Sequence, residues 1–231
     1  MDPVTYTLGD SVATIAMDDG KVNALSVPML AALDRALDRA EADGAAVVVI
    51  TGRPGIFSAG FDLGTLRSGG DDALAMLRGG FELAHRLLGF PRPIVVACPG
   101  HAIAMGLFLA QSSDYRLGAE GTFRITANEV AIGLAFPLPA IEICRLRLTQ
   151  AAFSRVVLLA EVFDPAAAVT AGILDRAVPA ELLPAEASAT ATALATTLNM
   201  EAHAMSKGRA RGRALEAIRA AIDADFPKPG R

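Results

Sequence analysis

The sequence predicts an α/β core followed by a helical C-terminal region. Two short, unbroken apolar runs rich in β-branched residues, Ala45–Ile50 and Ile94–Cys98, have the character of strands buried on both faces. Each leads through a glycine-bearing loop toward a helix, and from Ala135 onward the pattern is mostly helical. The core is expected over residues 1–175 and the helical region over residues 176–231. With 231 residues, 52% of them hydrophobic, the chain can bury a substantial core without staples.

The elements are justified in chain order. Val4–Leu8 and Val12–Met17 flank a Gly9-Asp10 turn and read as a hairpin. Ser26 is suited to cap a helix with Pro28 in its first turn, and Leu30, Leu33 and Leu37 recur at helical spacing. The strand Ala45–Ile50 is followed by a loop over Thr51–Ser58, and Asp62 is a candidate cap for the next helix. Ala73–Leu88 is expected to be helical, Pro91-Arg92-Pro93 breaks the chain, and Ile94–Cys98 is the next buried strand. A helix over Ala104–Gln111 and a short strand Tyr115–Leu117 come next. The helical segments after these are Leu138–Leu148, Gln150–Ala160, Pro165–Ala171, Leu183–Leu198 and Ala204–Asp225.

Composition excludes several classes. A net charge of −4 argues against bulk nucleic-acid binding, which relies on excess Lys and Arg, but leaves room for an anionic small ligand held by a local cluster. Cys98 and Cys144 sit in apolar stretches and read as buried thiols. The N-terminus lacks the basic start and apolar run of a signal peptide, and no apolar run is long enough to span a bilayer, so a cytoplasmic protein is expected. The three histidines and two cysteines have no metal-ligand spacing, and neither a nucleophile elbow nor a nucleotide-binding glycine loop occurs at the strand ends.

Two segments share a local grammar. Val47–Ile50 leads to Phe57-Ser58-Ala59-Gly60-Phe61-Asp62-Leu63, and Ile94–Cys98 leads to Gly100-His101-Ala102-Ile103-Ala104-Met105-Gly106. Small residues let a ligand approach the backbone, and helix N-termini expose unpaired N–H groups. Two such turns facing each other can hold one carbonyl oxygen between two donors, which stabilises an enolate or a tetrahedral anion. Spacing alone does not separate this from a pair of ordinary strand-to-helix turns.

These residues also carry a family resemblance. Lys21-Val22-Asn23-Ala24-Leu25 resembles the N-A-L motif of the crotonases, the enoyl-CoA hydratase/isomerase superfamily, and Phe57–Leu63 resembles their F-x-A-G-x-D-[LI] motif. Pro93–Ala97 through Gly100-His101-Ala102 to Asp114-Tyr115-Arg116, and then Ala166–Val178, resemble later family segments in the family order. The resemblance covers roughly residues 4–220. It implies a ββα spiral core with a C-terminal helical trimerisation region, a homotrimer or dimer of trimers, and an acyl-CoA thioester as substrate. Coenzyme A is then part of the substrate, and neither a metal nor another cofactor takes part. Carried over by position, the oxyanion donors are the N–H groups of Phe61 and Met105. Ala59 then lies against the adenine end of the coenzyme, Lys21 and the Ala24-Leu25 backbone flank its entry, and Gly60 and Gly106 belong to the same substrate-binding set. Phe61, Met76, Phe81, Met105, Phe108 and Phe136 are able to shape an apolar tunnel, although at their helical spacing the plain reading is core. Family members usually carry glycine where Met105 stands, a change that leaves the N–H intact.

Hydratases of this family use two glutamates. The first position is Phe108 here, which cannot transfer a proton; the second is Glu129, within Asn128-Glu129-Val130-Ala131-Ile132-Gly133. This stretch resembles the single-glutamate segment of Δ3,Δ2-enoyl-CoA isomerases. Adding water needs one group to activate it and another for the α-carbon proton, whereas shifting a double bond needs one base. The apolar neighbours of Glu129 are expected to raise its pKa. Read on its own residues, Glu129 is a solvated loop carboxylate. A hydratase with water held by His101, Asn128 or Glu142 is the alternative, and a non-catalytic acyl-CoA-binding homologue is a third reading. Finally, Lys207-Gly208-Arg209-Ala210-Arg211-Gly212-Arg213 is a cationic cluster in an acidic chain. The family resemblance implies that Lys207 meets the coenzyme; the plain reading is a solvated helix start.

Overall fold

A computed structural model of the chain describes residues 2–228. Strands β1 (Val4–Gly9) and β2 (Val12–Met17) form the expected antiparallel hairpin, and helix α1 (Val27–Ala42) follows. The Ser26 side chain accepts a hydrogen bond from Met29 N at the start of α1, and Pro28 sits in its first turn. Strands β3 (Val47–Thr51), β4 (Gly55–Ser58), β5 (Ile94–Cys98), β6 (Gly100–Ile103), β7 (Tyr115–Ala119), β8 (Ile125–Thr126) and β9 (Arg176–Val178) complete two sheets. The large sheet has the order β1-β2-β3-β5-β7-β9 and is parallel from β2 onward; the small one, β4-β6-β8, is parallel throughout. The helices are α2 (Leu63–Ser68), α3 (Gly70–Gly89), α4 (Met105–Gln111), α5 (Leu138–Arg147), α6 (Gln150–Leu159), α7 (Pro165–Ala171), α8 (Leu183–Thr197) and α9 (Met200–Asp225).

The unbroken apolar runs have the expected cause. Along β3 and β5, Val48, Ile50, Ile94 and Val96 face a core shared with α1, α3 and α4, while Val47, Val49, Val95 and Ala97 face a second core closed by Leu183, Ala187 and Ala191 of α8. The segment 176–231 is therefore not helical throughout: it supplies β9 to the large sheet and α8 to that sheet's second face.

The small sheet corrects the sequence reading. Residues 51–58 contain β4 rather than loop alone, and β6 precedes α4. Each strand has at most four residues, too few for a periodicity to register. Their closeness rests on glycine: a Cβ on Gly100 would lie 2.0 Å from the carbonyl carbon of Gly55. Helix α9 also starts earlier than Ala204, because Asn199 caps it by accepting from Ala202 N. Among the described residues no helix is long and apolar enough to cross a membrane, and no cluster of metal-ligating side chains occurs. Cys98 and Cys144 are free and buried.

Candidate active site

The small sheet brings the two glycine turns into contact. After β4 the chain turns at Gly60, with φ +89°; after β6 it turns at Ala104, with φ +51°. A Cβ on Gly60 would lie 2.9 Å from the Ile103 carbonyl oxygen and 3.4 Å from Met105 N. From the opposite direction, a Cβ on Gly106 would lie 2.6 Å from the Ser58 carbonyl oxygen. The backbones therefore touch at two points flanking Phe61 and Met105. Met105 opens α4, so its N–H has no acceptor within its own helix. Neither Phe61 N nor Met105 N donates among the turn and loop backbone hydrogen bonds of the described residues. Two donors on touching turns can share one oxygen.

The segment before α1 is bolted to the same place. Asn23, buried and at φ +51°, donates from its side chain to the carbonyls of Met17 and Phe57, both at 3.1 Å. Ser58 Oγ donates to the Asn23 carbonyl at 2.7 Å and accepts from Gly60 N at 3.1 Å. Leu25 N donates to the Gly60 carbonyl and Ala59 N to the Val22 carbonyl. Lys21, Ala24, Leu25, Ala59, Gly60 and Phe61 thus share one edge, with Lys21 exposed and Leu25 fully buried. The structural roles of Asn23 and Ser58 went unread in the sequence; Asn23 lies in the N-A-L motif, but only the fold shows what it holds.

Glu129 follows the third strand of the small sheet. Ala104 N donates to the Thr126 carbonyl at 2.9 Å, so the chain leading to Glu129 runs beside the chain leading to Met105. Glu129 begins a short 3-10 turn, Val130–Ile132, which Gly133 ends in the left-handed conformation. It is 8% exposed, and its Oε2 has no hydrogen-bond partner among the described residues. Burial pushes its pKa up to about 7. The buried Cys144 thiol is raised as well, by burial first and then by the Glu129 charge, which places α5 beside the carboxylate.

The remaining candidates divide. Phe108 is 1% exposed and packs on Phe81 (6.1 Å between ring centroids) and on Phe136 (5.4 Å); Phe61 meets Phe81 edge-on at 6.2 Å. Phe61 and Phe136 are half-buried ends of this row, whereas Phe81, Phe108 and Met105 are core. The sequence offered no sign that Phe226 stacks on Phe81 at 5.4 Å, or that buried Arg78 holds the Phe226 carbonyl and Asp223. Lys207 needs correction as a coenzyme contact. Its side chain is 5% exposed, and Nζ donates to Asp114 Oδ2 at 2.6 Å and to the Arg92 carbonyl at 3.1 Å. Two of the three ammonium donors are spent on those partners, and burial keeps the group from facing solvent. His101 accepts from Arg124 N through Nδ1, a structural bond at the strand end. A groove of about 860 Å³ between α1, α3 and α9 is lined by Val27, Arg78, Glu82, Arg86, Arg219 and Asp223 among others, and Glu129, Phe61 and Met105 are not among its walls.

Comparison with known proteins bears on the family of this chain. The family model described as enoyl-CoA hydratase/isomerase matches residues 7–225. A probable enoyl-CoA hydratase of Bacillus subtilis is 31% identical over 137 residues, 58% of this chain and 53% of that protein. Human mitochondrial enoyl-CoA delta isomerase 1 is 32% identical over 178 residues, 75% of this chain and 59% of that protein. The chain thus spans somewhat over half the length of these two relatives. The apo structure of the Mtb enoyl-CoA isomerase superposes with a TM-score of 0.93 at 49% identity, covering 96% of this chain and 97% of that one. With this fold, these motifs in order and a family match across nearly its whole length, the chain belongs to the enoyl-CoA hydratase/isomerase family of the crotonase superfamily.

Proposed function

We propose that this protein is an acyl-CoA-processing enzyme that shifts the double bond of a 3-enoyl-CoA to the 2-position, using Glu129 as its single acid/base. The observation that carries the reading is the isolation of Glu129: a buried carboxyl with an unpartnered oxygen and a pKa near neutrality, while Phe108 fills the family's other glutamate position inside an aromatic cluster. The Phe61 and Met105 N–H groups donate to the thioester oxygen. Glu129 takes a proton from C2, the electrons spread over a dienolate whose oxygen the two N–H groups stabilise, and the same carboxyl returns the proton at C4. Protons and electrons balance within the substrate, so this step requires no redox partner.

Hydration is the second reading, favoured by the hydratase name of the Bacillus subtilis relative. Conjugated-thioester absorbance separates the two. Gain of absorbance from a 3-enoyl-CoA, abolished in Glu129→Gln, supports isomerisation. Loss of absorbance from a 2-enoyl-CoA means hydration. Tight coenzyme-ester binding without either change points to a non-catalytic binder. A homotrimer or dimer of trimers is the assembly proposed with this reading. Exposed Val130, Ile132, Leu134, Leu158 and Leu159 are apolar surface that subunit contact would cover, and sedimentation tests it.

A further inference from the structure

The basic run near the start of α9 divides by face. Arg209 and Arg213 are exposed, while Lys207 and Arg211, one helical turn apart, point inward. There they join Arg116 of β7 and Arg147 at the end of α5 around two carboxylates, Asp114 and Asp175. Both carboxylates are already engaged. Asp114 accepts from Lys207 Nζ at 2.6 Å, from Arg211 Nη2 at 2.9 Å and from Ile94 N at 2.7 Å. Asp175 takes the Arg116 fork on both oxygens at 2.9 Å.

Arg147 is left over. Among the described residues no carboxylate pairs with it; its Nη2 donates to the carbonyls of Ser113 and Asp114, and its Nε has no acceptor. Arg116, 3% exposed, likewise has an Nη1 with no acceptor. Burial first, then the neighbouring Arg116 and Arg211, pull the Arg147 pKa down to about 10. Asp175 and Asp114 offset part of this without pairing with Arg147 directly; a desolvated cation with no direct carboxylate partner is costly, and free guanidinium edges match the geometry of a phosphate or sulfate. Arg147 is only half-buried, so an ion can reach its outer edge, whereas its Nε and the Arg116 Nη1 lie beneath the surface.

We propose that Arg147 and Arg116 bind a phosphate-class oxyanion beside Asp114, at the N-terminal edge of β5 and β7. This edge is the opposite one from the glycine turns, since Asp114 accepts from Ile94 N at the start of β5, whereas the turns lie beyond the strands' C-terminal ends. The site accounts for the inward half of the basic run and stands independently of which reaction the enzyme performs.

The test is thermal unfolding and calorimetric titration of the full chain with inorganic phosphate at constant ionic strength. A saturable rise in Tm is expected for the natural protein. Arg147→Gln is expected to bind phosphate about tenfold more weakly or worse. In phosphate-free buffer its stability should change little, because losing the bonds to the Ser113 and Asp114 carbonyls offsets the relief of an unpaired charge. A purely structural Arg147 predicts instead a destabilised variant with an unchanged phosphate response, and that result overturns the proposal, as does a Tm that follows ionic strength alone. If Arg147→Gln fails to fold, Arg147→Lys keeps the charge without the fork and should still bind phosphate more weakly; equal binding counts against the site. Adding coenzyme A to the phosphate-loaded protein identifies the source: a free ion stays bound, whereas a site serving the coenzyme's own phosphates releases it.

Discussion

Gly106 stands so close to Ser58 that a Cβ on it would lie 2.6 Å from the Ser58 carbonyl oxygen and 2.9 Å from the Ser58 Cβ. The backbone of Gly106 is not in the left-handed region, so the demand for glycine is one of contact alone. Gly106→Ala is expected to push the β4 turn away from the start of α4, costing about 1–3 kcal/mol of stability and most of the turnover. Chemical denaturation and kcat measured on the same preparation check this. Full turnover in the variant would mean that the separation of Phe61 from Met105 does not matter to the reaction.

Glu129 predicts a pH dependence with two readouts. Its folded pKa, about 7, lies above the ordinary 4.5. Between those values the folded protein holds a proton that the unfolded chain has released, so stability declines as pH rises through this window and levels off above it. Burial of the carboxylate therefore costs about 3 kcal/mol above neutrality. Glu129→Gln should be more stable than the natural protein at alkaline pH and nearly equal to it in mild acid. Isomerase kcat/KM should rise with pH through about 7 as the base form appears. A flat stability difference across this range would place Glu129 in water rather than in the protein.

Lys207→Met should damage the fold rather than the affinity for coenzyme A. Removing the ammonium leaves the Arg92 carbonyl without its partner and Asp114 with only Arg211 and the Ile94 N–H, at a cost of about 2 kcal/mol. KM for the acyl-CoA should hold within experimental scatter. A large rise in KM without loss of stability would restore the lysine to the coenzyme site.

Arg78 ties the end of α9 to α3. Its guanidinium meets Glu82 at 2.9 Å, Asp223 at 2.7 Å and the Phe226 carbonyl, while Asp225 accepts from Leu138 N at 2.6 Å. The carboxylate partners are 40% and 57% exposed, which limits what each ion pair is worth. Arg78→Met should therefore cost about 2 kcal/mol, concentrated in the last turn of α9. Hydrogen exchange should accelerate there and not in β3 or β5; uniform acceleration would mean that Arg78 supports the whole core.

Local sequence determined much of this molecule. Ser26 and Asp62 announce helix starts because a side-chain oxygen beside an unpaired N–H acts within a few residues, and Thr149 and Asp164, unread in the sequence, cap their helices in the same way. The β3 and β5 runs declare burial on both faces by having almost no polar position. Glu129 and the two glycine turns stood out as candidates through motif and spacing. Tertiary structure decided what depends on distant segments meeting. The small sheet exists because Gly55 and Gly100 let short strands approach; the fate of Lys207 was settled by Asp114, 93 residues away. The unpartnered guanidinium of Arg147 likewise emerges only when β7, α5, β9 and α9 converge. A sequence displays periodicity and caps because these act between near neighbours, whereas the partner of a buried charge is fixed only by the packing of the whole chain.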